Sequence, residues 1–222
     1  MKSIKELLIK ALQPPLPGDA AQMLMAPKFR GEKNFFADDN PIPGSVLILF
    51  YPTPKGICIP FIQRPEYEGA HSGQISFPGG KYEKEDASYW ETAIRETHEE
   101  LGIETDKIEK IGLLTSLYIP VSNYIVTPHV GFLEKMPSFN PNPDEVSEII
   151  EVPVNHFFSP ANIKHFNGKR NGIQYDFPYY DVAGKSIWGA TAMILSELME
   201  IIKVLFEPPL PTPTPSVKYP QV

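Results

Sequence analysis

Arg95, Glu96, Glu99 and Glu100 lie within six consecutive positions of this chain. On a helix, residues three and four apart share a face, so the three glutamates gather on one flank. Like charges at that spacing repel, and surface helices normally avoid them or interleave lysines. The one cation nearby is Arg95, which reaches Glu99 four residues on. A carboxylate cluster so incompletely neutralised offers hard oxygen donors of the kind that Mg²⁺ or Mn²⁺ takes. The plain alternative is a solvated acidic helix face, and composition alone favours it.

The elements that must position these residues can be read around them. Residues 87–101 predict a helix closed by Gly102, with Trp90, Ala93, Ile94, Thr97 and Leu101 on the side away from the acids. Upstream, two apolar runs at 45–51 and 57–63 flank Pro52, Pro54 and Gly56 and predict a β-hairpin. Residues 71–80 read as loop, short strand and a turn ending in Phe77-Pro78-Gly79-Gly80. Strands are expected at 111–118 and 124–133, and a short helix at 145–150 leading into a strand at 150–154. A hairpin is expected over 163–166 and 172–176, with Asn171-Gly172 in its turn. Residues 188–206 form the clearest long helix. Its apolar stripe of Ile194, Leu195, Leu198, Ile201, Ile202 and Leu205 reads as core, with a homodimer face as the lesser use. Residues 2–13 predict a short amphipathic helix stopped by Pro14, Pro15 and Pro17, and 18–40 an extended connection. Residues 207–222 hold six prolines and predict an extended, polyproline-like tail. The expected organisation is therefore 1–40 as helix and connection, 41–206 as one domain, and 207–222 as tail.

Composition bounds the function. The chain has 222 residues, a net charge of −7 and 42% hydrophobic residues, enough for one cored domain. The acidic balance argues against a nucleic-acid binder. The single Cys58 excludes an internal disulfide and a cysteine-based zinc cluster. No apolar run is long enough for a membrane-spanning helix, and no leader is evident. A cytoplasmic protein with a small-molecule substrate, and no membrane or nucleic-acid partner, is the expectation. Residues 80–104 carry eight acids and three bases, so −5 of the net −7 sits in one loop and helix. Gly184-Lys185-Ser186 lacks the upstream glycine of a phosphate-binding loop, since position 179 is Tyr. The five histidines show no zinc spacing.

The run Arg95-Glu96-Thr97-His98-Glu99-Glu100-Leu101-Gly102-Ile103 resembles the signature box of the Nudix hydrolases. Upstream the match departs: with five residues between, Gly80 is followed by Asp86 in place of Glu, and eight residues rather than seven separate Asp86 from Arg95. A second block, Gln63-Arg64 with His71-Ser72-Gly73-Gln74-Ile75-Ser76-Phe77-Pro78-Gly79-Gly80, resembles the coenzyme A diphosphatase branch of that family, in which the expanded box is common. Tyr124 to Pro128, Asp144-Glu145-Val146 to Val152-Pro153, and Ile187-Trp188-Gly189 fit the same branch. The resemblance covers roughly residues 44–206.

It implies an α/β/α sandwich around a mixed β-sheet, with the box helix on one side and the long helix 188–206 on the other. It implies a Mg²⁺- or Mn²⁺-dependent hydrolase that cleaves coenzyme A to 3′-phosphoadenosine 5′-phosphate and 4′-phosphopantetheine. Glu96, Glu99 and Glu100 would hold the metal, and Arg95 would orient a ligand glutamate. Glu100, Glu99 or Glu148 would serve as general base. Arg64, His71, Ser76, Gly79 and Gly80 would line the substrate, the glycines by permitting a tight turn. Two alternatives stand beside this: another nucleoside diphosphate derivative such as ADP-ribose, or a nucleotide-binding module without catalysis, which the altered spacing at Asp86 favours.

Overall fold

The computed structural model describes residues 3–29, 40–66, 68, 72–170 and 173–206. Its elements in chain order are α1 (Ile4–Ala11), α2 (Asp19–Gln22), β1 (Lys28–Phe29), β2 (Ile42–Thr53), β3 (Gly56–Gln63), β4 (Ile75–Ser76), β5 (Gly79–Lys81), α3 (Tyr89–Leu101), β6 (Glu109–Leu113), β7 (Leu117–Ile119), β8 (Tyr124–Phe132), β9 (Glu148–Pro153), β10 (Ile163–Arg170), β11 (Ile173–Val182), β12 (Lys185–Trp188) and α4 (Gly189–Phe206).

The architecture is the α/β/α sandwich with a mixed sheet that the sequence led us to expect. In the larger sheet β2 runs parallel to β8 and antiparallel to β3 and β5, while β4 and β9 extend from β3 and β6 and β7 flank β8. The smaller sheet is antiparallel, with β1, β10 and β12 all pairing with β11. Strand alternation divides the core in two. Leu47, Leu49 and Tyr51 of β2 pack with Ala93 and Leu101 of α3. Ile48 and Phe50 point the other way, to Leu8 of α1 and to Ile194, Leu195, Leu198 and Ile202 of α4. A period of two is what lets one strand serve both layers. The apolar stripe of α4 is thus core.

Several local expectations are corrected. The stretch after Gly18 is not an extended connection: it forms α2 and a 3₁₀ turn, Met23–Met25. They are held there because Gln22 donates to the fully buried Glu197 of α4 (2.9 Å), whose carboxylate also accepts from the Thr115 hydroxyl (2.7 Å). The single strand expected at 111–118 is two, β6 and β7, because Thr115 turns its amide to Glu197 instead of to a neighbouring strand. Residues 145–147 form no helix; Ser147 bonds back to the Gln63 carbonyl through its amide (2.9 Å) and hydroxyl, leading directly into β9. The hairpin turn at Asn171-Gly172 lies outside the described residues, although the flanking β10 and β11 pair throughout.

Candidate active site

Helix α3 is capped at its start by the Ser88 hydroxyl, which accepts from the Glu91 amide, and ends at Gly102 in the left-handed region. Its inner face buries Ala93, Thr97 and Leu101. Thr97, an odd residue for a core position, satisfies its hydroxyl by donating to the Ala93 carbonyl one turn back (2.6 Å).

The three glutamates do not share one environment. Glu99 is exposed, Glu96 is mostly covered, and Glu100 is only 2% exposed. Glu100 accepts from the Gly79 amide at 2.8 Å and faces the Arg64 guanidinium at 3.5 Å. Burial pushes its carboxyl up to about 8; Arg64 and the Gly79 amide oppose the rise, and Glu96 and Glu145 add to it. Burial also raises Glu96, with Arg95 opposing.

Gly79 and Gly80 fit this cluster for different reasons. Gly79 has φ +149°, and a Cβ there would stand 2.3 Å from the Ser45 carbonyl oxygen. The residue can therefore be tucked against β2 with its amide aimed at Glu100. At Gly80 a Cβ would stand 2.4 Å from the Glu96 carboxylate, so the missing side chain is the space that Glu96 fills.

Arg95 ties the cluster together. Its Nη1 donates to both Glu96 and Glu99 at 3.0 Å, and its Nη2 to the Lys81 carbonyl at 3.0 Å. Its Nε and Nη2 grip Asp86 in a two-pronged pair at 3.0 and 3.1 Å. Asp86 is buried and also accepts from the Thr92 hydroxyl and the Glu83 amide. Arg95 above all holds its carboxyl down, to about 2. The expanded spacing therefore does not remove Asp86 from the site: the shorter side chain one residue out of step still arrives at Arg95. The sequence reading left Asp86 out, and its signal was there in the box position it occupies.

Glu145 was also missed as a site residue. A Cβ on Gly102 would collide with the Asn140 carbonyl at 1.9 Å, so only glycine lets the loop over 138–147 lie across the end of α3. That loop bonds to the helix through Asn140 to the Leu101 carbonyl and Asn142 to the Glu100 carbonyl. Val146 is buried beside α3, and the charge of its exposed neighbour Glu145 reaches Glu96 and Glu100.

Of the substrate residues expected, Arg64, Gly79 and Gly80 are brought to the glutamates. Ser76 pairs with Ile62, whose side chain lies on the α3 side of the sheet, and its hydroxyl oxygen is buried without a hydrogen-bond partner. His71 lies outside the described residues. Glu148 does not join the cluster. It pairs with Gln63 in β3, and its neighbour Ile149 packs on the α3 side while Ile150 packs on the α4 side. By alternation Glu148 projects with Ile150, on the opposite face from Glu100. There it bonds Lys185 at 2.7 Å. The structure thus sets Glu148 at Lys185, apart from the other base candidates, Glu99 and Glu100.

Carboxylate oxygens are the right donors for a hard divalent ion, and Gly80 leaves the room in which Glu96 stands. Among the described residues no three acidic, His or Cys side chains already surround a common centre. Glu96 and Glu99 instead converge on Arg95, each through one oxygen. The donor set fits such an ion, and Arg95 keeps it gathered.

Comparison with known proteins gives the family. A model of the NUDIX domain matches residues 42–175. The Nudix hydrolase NudL of Photorhabdus laumondii is 34% identical over 166 residues, covering 75% of this chain and 88% of that protein. NudL of Pectobacterium atrosepticum is 33% identical over 153 residues, covering 69% and 78%. Among solved structures, a MutT/nudix family protein from Enterococcus faecalis aligns over 92% of this chain and 76% of its own, with 14% identity and a TM-score of 0.48. No described helix is long and apolar enough to cross a membrane. The chain belongs to the Nudix hydrolase family.

Proposed function

We propose that this chain hydrolyses the pyrophosphate linkage of coenzyme A or a derivative of it, with Mg²⁺ or Mn²⁺ held by Glu96, Glu99 and Glu100. The observation that carries this reading is Arg64. It belongs to the block resembling the coenzyme A branch, and its guanidinium stands against both Glu100 and the Gly79 carbonyl. Substrate recognition and the carboxylate cluster thus meet at one residue.

A divalent ion at these carboxylates would neutralise the charge of the two phosphates and acidify a water. The protein's own residues do the positioning. Asp86 fixes Arg95, and Arg95 restrains Glu96 and Glu99 so that both carboxylates keep one orientation. Arg64 offers a planar cation to a phosphate oxygen. Glu145, whose charge acts on Glu96 and Glu100 from the loop across the end of α3, accepts the proton of the attacking water. Water adds to one phosphorus, the bridging oxygen leaves with the other phosphate, and two phosphomonoesters result.

The test is a substrate panel of coenzyme A, an acyl-coenzyme A, ADP-ribose, NADH and diadenosine tetraphosphate, each with Mg²⁺ and with Mn²⁺. Coenzyme A or its acyl form is expected to give the highest kcat/KM. Preference for ADP-ribose by tenfold or more refutes the substrate assignment and leaves the hydrolase. Glu145→Gln is expected to lower kcat by about 10²-fold or more, in the range of a lost general base, and Glu148→Gln to leave it within about threefold. The reverse order would return the base role to Glu148.

A further inference from the structure

Away from the glutamates, a groove of about 360 Å³ opens beside the last turns of α4. Its walls are the 3₁₀ turn Met23–Met25, a second 3₁₀ turn, Val154–Phe158, and the side of β10 and β11 that faces α4. Phe157 and Tyr180 form a buried aromatic floor, and Met25 and Met199 line the sides. The rim leaves large apolar side chains in water: Leu24 is 61% exposed and Ile163 38%.

The polar groups of this groove are already engaged. The Ser196 hydroxyl donates to the Ala21 carbonyl (2.8 Å), Lys203 pairs with Glu200 (2.6 Å), and His165 bonds Asp176 (2.8 Å). An occupant rich in hydrogen-bonding groups would find few partners. An apolar, donor-poor one that keeps its carbonyls towards water loses little by entering.

Such a segment begins next to the groove. Lys203 lies on its wall, three residues before Phe206, where the described chain stops. The following sixteen residues include Pro208, Pro209, Leu210, Pro211, Pro213 and Pro215. Proline has no N–H to satisfy, and a polyproline II strand is already ordered, so docking it costs little conformational entropy. Aromatic-lined grooves are the surfaces that take such strands. At about 3.1 Å per residue, the six residues after Phe206 span roughly 19 Å, and the groove begins at Lys203, within one helical turn of Phe206. We propose that residues 207–222 fold back into this groove, placing Pro208 to Pro211 over Phe157 and Tyr180.

The test uses the full chain with ¹³C-methyl-labelled methionine. Met25 and Met199 report on the groove, and the exposed Met136 serves as a control. A tail variant carrying Pro209→Gly, Leu210→Asp and Pro211→Gly is expected to shift the Met25 and Met199 signals and leave Met136 in place. In a chain that already carries Leu24→Glu, the same tail changes should no longer move Met199, since the groove they leave is already blocked. Unchanged Met25 and Met199 signals in the tail variant would overturn the proposal. So would a dimer by sedimentation that Leu24→Glu dissociates and the tail variant does not, because a second copy would then be the occupant.

Discussion

Gly79 and Gly80 are neighbours, yet one added methyl at each should do opposite kinds of damage. At Gly80 the new Cβ would stand 2.4 Å from both the carboxyl carbon and one oxygen of Glu96. Ordinary carbon contacts lie at about 3.5 Å, so the carboxylate must retreat by roughly 1 Å. It is the far end of a flexible side chain and can move, which keeps the stability cost of Gly80→Ala within about 1 kcal/mol. A catalytic group misplaced by about 1 Å costs on the order of 10²-fold in rate. At Gly79 the clash is with backbone, 2.3 Å from the Ser45 carbonyl oxygen and 2.6 Å from the Val46 Cα, at φ +149°. Neither can yield without parting β5 from β2, so Gly79→Ala should destabilise by about 3 kcal/mol. The assays are urea unfolding at pH 7 and steady-state hydrolysis of the best substrate from the panel. Gly80→Ala with full turnover would refute the argument that Glu96 must occupy that space. A loss of stability at Gly80 as large as at Gly79 would refute the distinction between them.

Asp86→Asn should cost about 2 kcal/mol at pH 7, because the Asp86 carboxyl sits near 2 against an ordinary 3.8. A depressed carboxyl contributes fully above its unfolded value, so the difference from the parent should shrink as pH falls from 4 towards 2. A constant difference across that range would count against the Arg95 pairing. His129 is buried beside Trp90 with neither ring nitrogen bonded among the described residues, and burial, helped by Lys110, holds it down to about 4 from 6.5. Its neutral form is the folded one, so its contribution is whole above pH 6.5 and lost as pH falls towards 4, by about 3 kcal/mol. His129→Leu should flatten that part of the stability profile measured by urea unfolding; an unchanged slope would clear His129 of responsibility.

The glutamate helix, the hairpin before it and the long helix after it were legible because their periodicities are strong and local. The fold class came through the box resemblance, and the two-faced packing of β2 then bore out the sandwich. What could not be read was set by contacts distant in sequence. Nothing near Gly18 announces that Gln22 will meet Glu197, so α2 was read as connection. The burial of Glu100 depends on a backbone amide 21 residues away at Gly79. In the sequence it looked like one of three equivalent surface acids. The face that the Glu148 carboxylate takes is set by the pairing of β9 with β3, a contact more than eighty residues distant in sequence.

The buried Glu197 also bears on where this protein can be cut. The NUDIX match begins at residue 42, and a chain started there keeps the whole of that match. It would lose Gln22, and with α1 it would lose Leu8 and Leu12 from the core on the α4 side of β2. The carboxylate of Glu197 would keep Thr115, forfeit its other partner and lose the α2 segment that packs against it. The boundary drawn by family likeness and the boundary drawn by physical integrity therefore differ by some forty residues, and an expression design should follow the second.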